Sequence, residues 1–284
     1  MKAGVSQTQQ SLMALFWIRG KGDNIFIMKL AVILYHQNVQ NYRPEWIKKC
    51  VKSIQNQTYK EFDVFEIDYG NTNTQIYPNS NFSSHELPSH AHAHNFLLDQ
   101  VFSLGYDYAA NCNVDDDYAL NRLEKQLVYM QQGHDVISSN FYNIDEEDRM
   151  LDNMRMSDLN IIEEANKGHN IIAHPVVCYS KNFWTTCSRL NPEQIPLDDF
   201  ELWKRSFEKY KFIICPEFLL YYRIHSKKVS SPKKDEQDNR RVSSWDEGCI
   251  RPEEIKNREL SKEEKEEADR IHNEWVAERI RKSK

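Results

Sequence analysis

Leu30 to Tyr35 is an unbroken apolar run, the pattern of a strand buried on both faces of a parallel sheet. Pro44 follows at a position suited to the first turn of a helix. Ile47, Cys50, Val51 and Ile54 then fall at i, i+3, i+4 and i+7, predicting an amphipathic helix that ends near Gln57. Phe62 to Asp68 predicts a second strand, with Gly70-Asn71-Thr72-Asn73 as its turn. Phe96, Leu97, Val101 and Phe102 mark a second helix, closed by Gly105. Tyr108 to Val114 predicts a third strand. A helix over Asn121 to Gln131 follows, with Leu123, Leu127 and Met130 on one face and Gly133 as its stop.

Asp135 to Ser138 continues the series, giving the order βαβαβαβ and a doubly wound sheet with right-handed crossovers. The alternation then loosens. Val176 to Tyr179 reads as a strand, Asp199 to Lys209 as a helix, and Phe212 to Cys215 and Phe218 to His225 as two strands separated at Pro216.

From Ser226 to Arg258 the composition shifts to Lys, Ser, Asp and Glu. Ser261-Lys262-Glu263-Glu264 is a capping box for a helix with a narrow stripe of Ala268, Ile271 and Trp275. Residues 1–27 also differ from the rest, and Met28-Lys29-Leu30 reads as the natural start of the first strand. The expected division is a disordered or loosely docked leader over 1–27, one domain over 28–231, and a charged linker with an appended helix over 232–284. That helix is a candidate partner contact.

The 284 residues, 40% hydrophobic and 12% aromatic, describe a globular chain with a full core. A net charge of −6 without a dominant basic stripe argues against nucleic acid as partner. The six cysteines form no CxxC pair and mostly sit in apolar runs, which fits reduced core residues and a cytoplasmic protein, at most peripheral to a membrane. No apolar run approaches the ~20 residues that span a bilayer.

Four segments carry candidate chemistry. Asn113-Val114-Asp115-Asp116-Asp117 follows the third strand, and a carboxylate cluster at a strand's C-terminal edge can present a divalent cation to a phosphorylated ligand. Adjacent carboxylates repel by ~4 kcal/mol per pair at about 4 Å and an effective dielectric of ~20, a cost that a hard cation removes. A solvated turn is the ordinary alternative. Asp68 ends the second strand, where a carboxylate can accept from the imide N–H of uracil or thymine; an Asx turn accounts for it equally. Asp198 and Asp199 open a helix, as N-terminal caps or as a general base at a pocket rim. Alternation puts Arg223 and His225 on one strand face, where His225 is a structural histidine or an imidazole ligand. His85, His90, His92 and His94 crowd one stretch, but without finger-like Cys or acidic spacing they make a poor zinc site.

Taken in order, these segments resemble the family 2 glycosyltransferases of the GT-A fold, over roughly residues 29 to 231. Cys50-Val51-Lys52-Ser53-Ile54-Gln55-Asn56-Gln57-Thr58-Tyr59 is similar to the family's "SI..QTY" helix end. Asp68-Tyr69-Gly70-Asn71-Thr72 stands where the family has Asp-Asp-Gly-Ser-Thr, and His94-Asn95 where it has Arg-Asn. The 113–117 segment resembles the metal-binding DxD region, Asp198-Asp199-Phe200-Glu201-Leu202-Trp203 the "ED..LW" motif, and Tyr222-Arg223-Ile224-His225 the "YR.H" motif. Three departures stand out: Tyr69 for the second acidic residue, Asn113 for the first Asp, and His94 for Arg.

The resemblance implies an α/β fold of GT-A (Rossmann-like) type, a mixed, mostly parallel sheet flanked by helices. It implies a metal-dependent inverting transferase that moves a sugar from a nucleotide-diphospho-sugar to a hydroxyl of a glycan, lipid-linked or protein acceptor. Asp199 would be the base, with Asp198 as the fallback. Mn2+ or Mg2+ would sit on Asp115 with Asn113 or Asp117, completed by His225. Leu34, Tyr35, Asp68, Tyr69, His94, Asn95, Asp115 and Arg223 would bind the nucleotide-sugar. Acceptor choice would lie in loops such as Tyr142 to Asp158. A sugar-phosphate nucleotidyltransferase is one alternative, but His36-Gln37-Asn38-Val39-Gln40 lacks the glycine-rich phosphate loop it wants. A non-catalytic glycan-binding or scaffolding relative is the other.

Overall fold

In the computed structural model, the first strand, Leu30–His36 (β1), is buried on both sides. Leu30, Val32 and Leu34 join one core, and Ala31 and Ile33 the other, which explains the unbroken apolar run. The structure describes residues 28–187 and 189–225. The leader, residues 226–231, Cys249, and the charged linker and appended helix expected over 232–284 lie outside the described residues.

Pro44–Gln55 (α1) has Pro44 in its first turn and packs Trp46, Cys50, Val51 and Ile54 inward. Phe62–Asp68 (β2) pairs parallel to β1, and Asn81–Ser84 (β3), a short edge strand, pairs parallel to β2. His90–Ser103 (α2) starts at Ser89, whose hydroxyl accepts from the His92 N–H, and covers the opposite face with Leu97, Leu98, Val101 and Phe102. Gly105 follows it at φ 85°. Tyr108–Asn113 (β4) returns parallel on the other side of β1, and Arg122–Gln131 (α3) puts Leu123 and Met130 on the α1 face.

Beyond this point the sheet departs from simple parallel winding. Its order is β3-β2-β1-β4-β8-β6-β9-β5, with β7 beside β6. Here β5 is Asp117–Tyr118, β6 is Val136–Ile144, β7 is Met150–Met154, β8 is Cys178–Ser180 and β9 is Phe212–Arg223. The strand expected over Asp135 to Ser138 is longer than its apolar start and does not neighbour β4. The three-residue β8 lies antiparallel between them, Cys178 facing Ala110 on one side and Ile137 on the other. Tyr142 to Asp158, expected as loop, is largely the β6–β7 hairpin.

The two strands expected around Pro216 are one. In the β6–β9 ladder Ser139 faces Cys215 but Asn140 faces Phe218, so Pro216 and Glu217 bulge out of register. Asn140 Nδ2 donates to the Pro216 carbonyl at 2.8 Å, so a side chain replaces the ladder bond. Ile161–Asn166 (α4) and Lys181–Thr186 (α5) are single-turn elements below the length that sequence periodicity reveals. The helix expected over 199–209 is Asp198–Lys204 (α6). The five described cysteines are free, as expected. Among the described residues no helix is long and apolar enough to cross a membrane.

The pairing of β5 with β9, Asp117 facing Tyr221, matters most for function. It folds the acidic segment after β4 back onto the end of β9.

Candidate active site

A cleft opens over the C-terminal ends of β1, β2 and β4. Its walls include Tyr35, Tyr69, Asn113, Asp115, Asp198 and Asp199, so the two acidic segments face one shared hollow.

On one side the β4 end is locked in place. Tyr35 Oη donates to Asn113 Oδ1 at 3.0 Å, and the Asn113 N–H donates to Tyr118 Oη at 2.7 Å. The three carboxylates that follow have different partners. Asp115 Oδ2 lies 2.8 Å from His225 Nε2, which packs on Trp46 and Tyr42. Asp116 Oδ1 accepts from the Arg223 N–H at 2.9 Å, and Asp117 Oδ1 from the Tyr118 N–H at 2.9 Å. Asp117 belongs to β5 and is not among the cleft walls.

Arg223 is fully buried. Its Nε donates to the Asp115 carbonyl at 3.0 Å and one Nη to the Asp145 carbonyl at 2.9 Å, while the other Nη pairs with Asp148 at 2.6 Å. Its guanidinium also lies 5.1 Å from the Trp46 ring centre. Burial lowers its pKa and the acidic cluster opposes that. Part of the carboxylate repulsion anticipated from sequence is thus relieved by a buried cation of the chain itself. Among the described residues, no three His, Cys, Asp or Glu side chains are grouped to hold a metal.

Across the cleft, α6 presents Asp198 and Asp199 in its first turn. Asp198 is buried and lies 3.3 Å from His90 Nε2. Burial works against its charge, but His90 and then His174 outweigh it and hold the carboxyl below its usual range. Asp199 accepts from Asn170 Nδ2 at 3.2 Å and from the Phe200 N–H at 2.7 Å. Burial, reinforced by the Asp198 charge, pushes its pKa up to about 7. Neighbouring carboxyls whose pKa values are driven apart can divide acid and base roles, and a carboxyl near 7 can exchange a proton at neutral pH.

At the end of β2, Asp68 accepts from the Gly70 N–H at 3.0 Å, Thr72 Oγ1 at 2.7 Å and the Thr74 N–H at 3.1 Å. Burial opposes its ionisation, but these bonds prevail and keep the carboxyl low. The turn is tight, since a Cβ on Gly70 would meet Gln37 Cγ at 2.8 Å. Tyr69 lines the cleft, its hydroxyl pKa pushed to about 12 by burial and by Asp115. Leu34 is a core residue rather than a wall.

His94 and Asn95 are not brought to the cleft. His94 is wholly buried among Tyr35, His174, Tyr179 and Trp184, and burial and then His174 depress its pKa well below the imidazole value. A neutral buried ring is no substitute for a diphosphate-binding arginine. Asn95 exchanges two hydrogen bonds with the Leu190 main chain, at 3.0 and 3.1 Å. The helix also disperses the other histidines: His92 bonds Ser89, His85 packs on Phe96, and His90 faces Asp198. His90, His174, Tyr42 and Tyr222 are cleft walls that sequence reading missed as such. Tyr222 carried a signal, as the first residue of the "YR.H" segment.

No known family profile matches the sequence, and no curated protein matches it. Among solved structures, it is similar to S. aureus TarS 1-349 in complex with UDP. The identity is 15%, the TM-score 0.54, and the match covers 70% of this chain and 61% of that one. It is also similar to the mannosyltransferase PcManGT from Pyrobaculum calidifontis in complex with GDP-Man and Mn2+. There the identity is 13%, the TM-score 0.50, and the coverage 78% and 66%. The chain therefore has the α/β fold of GT-A nucleotide-diphospho-sugar transferases. It spans less than two thirds of the length of either.

Proposed function

We propose that this chain is a metal-dependent, inverting glycosyltransferase of the family 2 type, moving a sugar from a nucleotide-diphospho-sugar to an acceptor hydroxyl. The observation that carries the reading is the cleft itself: Asp115 stands on one wall and Asp199, with a pKa near 7, on the other. Residues 28–231 would form the transferase domain, with the leader and tail as appendages.

The donor set suits a divalent cation. Asp115 and His225 approach within 2.8 Å, and Asn113 lines the same cleft, giving one carboxylate, one imidazole and one amide oxygen. Mg2+ is commonly held by one or two carboxylates together with substrate phosphates, and Asp115 would supply one. When bound, the cation neutralises charge that builds on the departing diphosphate. Asp68 and Tyr69 frame the nucleotide end. Asp199 takes the proton of the acceptor hydroxyl, which attacks the anomeric carbon from the face opposite the nucleotide. Water exclusion falls to the aromatic walls, Tyr35, Tyr42, Tyr69 and Tyr222.

The test is Asp199→Asn against a panel of nucleotide-sugars with Mn2+. Transfer should fall about 10²- to 10⁴-fold while donor binding by calorimetry is retained. Undiminished turnover would remove Asp199 as the base.

A further inference from the structure

Resting on this transferase reading, we infer that His90 is a positioning residue that keeps Asp198 charged across the cleft and thereby assigns the base role to Asp199. The imidazole comes from the first turn of α2 and the carboxylate from the first turn of α6, and both line the cleft. Nε2 of His90 stands 3.3 Å from Asp198 Oδ2, and it is the ion pair that Asp198 makes among the described residues. The Asp198 side chain is 5% exposed and that of His90 21%, so the contact sits at the cleft floor with limited screening by water.

The electrostatic consequence follows from who faces whom. His90 and His174 act on Asp198 and oppose the cost of its burial. His174 is itself driven down to about 4 by burial, so at neutral pH it supplies no positive charge. Tyr35 and Tyr179 face the same carboxylates from β1 and β8, and burial keeps both phenols un-ionised. Asn170 is the neutral partner of Asp199. Among these titratable groups, His90 is the one in contact with Asp198, at 3.3 Å. With Asp198 held as an anion, its charge adds to burial in raising Asp199. Loss of His90 leaves the two carboxylates with less opposing field, so the doubly ionised, base-competent state forms at higher pH.

Rate–pH profiles for sugar transfer with saturating Mn2+ test this. Wild type should lose kcat/KM as pH falls through about 7. His90→Ala should move that acid limb up by about one pH unit, lowering the rate at pH 7 about fivefold and well below pH 7 about tenfold, as the ionised fraction falls. His90→Gln, which keeps an N–H donor, should return the limb towards wild type. Asp198→Asn should move it the other way, to lower pH, because the charge that raises Asp199 is gone. Should His90→Ala not fold, His90→Asn, too short to reach Asp198, is read in its place. A limb unmoved by loss of the imidazole, with the rate reduced equally at every pH, makes His90 merely structural and overturns the inference while the transferase reading stands. A folded wild-type chain that transfers sugar from no donor overturns both.

Discussion

Arg223 holds the acidic segment from two sides: its Nε donates to the Asp115 carbonyl at 3.0 Å, and its own N–H donates to the Asp116 carboxylate at 2.9 Å. The same guanidinium reaches the hairpin at Asp145 and Asp148. One buried cation thus joins β9, the loop after β4 and the β6–β7 turn. Alternation places Arg223 beside His225, and the resemblance implies a nucleotide-sugar contact; its four hydrogen-bonding partners make it a strut.

Removing the side chain should be costly, because the Asp115 and Asp145 carbonyls and the Asp148 carboxylate lose their partner and the buried acidic segment loses its cation, although the main-chain bond to Asp116 remains. Arg223→Ala is expected to destabilise the fold by about 3–5 kcal/mol, the range for breaking a buried pair from one side. Arg223→Lys should recover only part of this, since one ammonium cannot reproduce the planar fork. Urea unfolding monitored by Trp fluorescence, with Trp46 stacked on the guanidinium, measures both.

Asn95 offers a contrast between support and chemistry. Its amide is consumed by the Leu190 main chain, donating and accepting in one clamp between α2 and the loop before α6. Asn95→Ala should cost about 1–3 kcal/mol in thermal unfolding, by leaving buried polar groups unpaired. Donor affinity measured by calorimetry below the transition should be unchanged. A selective loss of nucleotide-sugar binding with no loss of stability would return Asn95 to the cleft.

The raised pKa of Asp199 has a stability cost that can be seen without any substrate. Its carboxyl ionises near 3.8 unfolded and about 7 folded. The contribution of the protonated form is therefore fully present below about 4 and is lost as pH rises through 7. Asp199→Asn, neutral at every pH, should leave stability unchanged near pH 4. It should raise stability at pH 8 by on the order of 2 kcal/mol, allowing for partial solvent screening of the shift. Paired melts at the two pH values give the difference directly.

Much of this fold was readable because its first half obeys simple periods. The bounds of β2 match, and those of β1, α1 and α3 nearly so, since each has a clear apolar pattern and all but β1 have Pro or Gly at or near one end. The second half hid its order in elements too short to have a period: β5 has two residues and β8 three. Pro216 looked like a break because its ladder bond is replaced by Asn140, distant in sequence. At the site, Asp115, Asp198 and Asp199 were legible as carboxylates at element ends. His94 was not, because nothing in a run of alternating histidines tells which turn of the helix faces the core.

Whether Asp117 joins Asp115 in the proposed metal site can be decided by comparing their amides. Asp115 lines the cleft and opposes His225, whereas Asp117 sits in β5 with one oxygen bonded to the following N–H and its strand paired to Tyr221. Turning Asp117 toward the cleft would require breaking that pairing. Asp115→Asn should weaken Mn2+ binding, read by electron paramagnetic resonance with nucleoside diphosphate present, about 10- to 100-fold, and chelation of the wild type should abolish transfer. Changes of that size follow even the loss of groups that only orient a ligand. Asp117→Asn should keep near wild-type Mn2+ affinity, since an amide oxygen can still accept from Tyr118. Equal losses in the two variants would mean that β5 unpairs when the cation and diphosphate enter, and the cleft would then have to be described with Asp117 inside it.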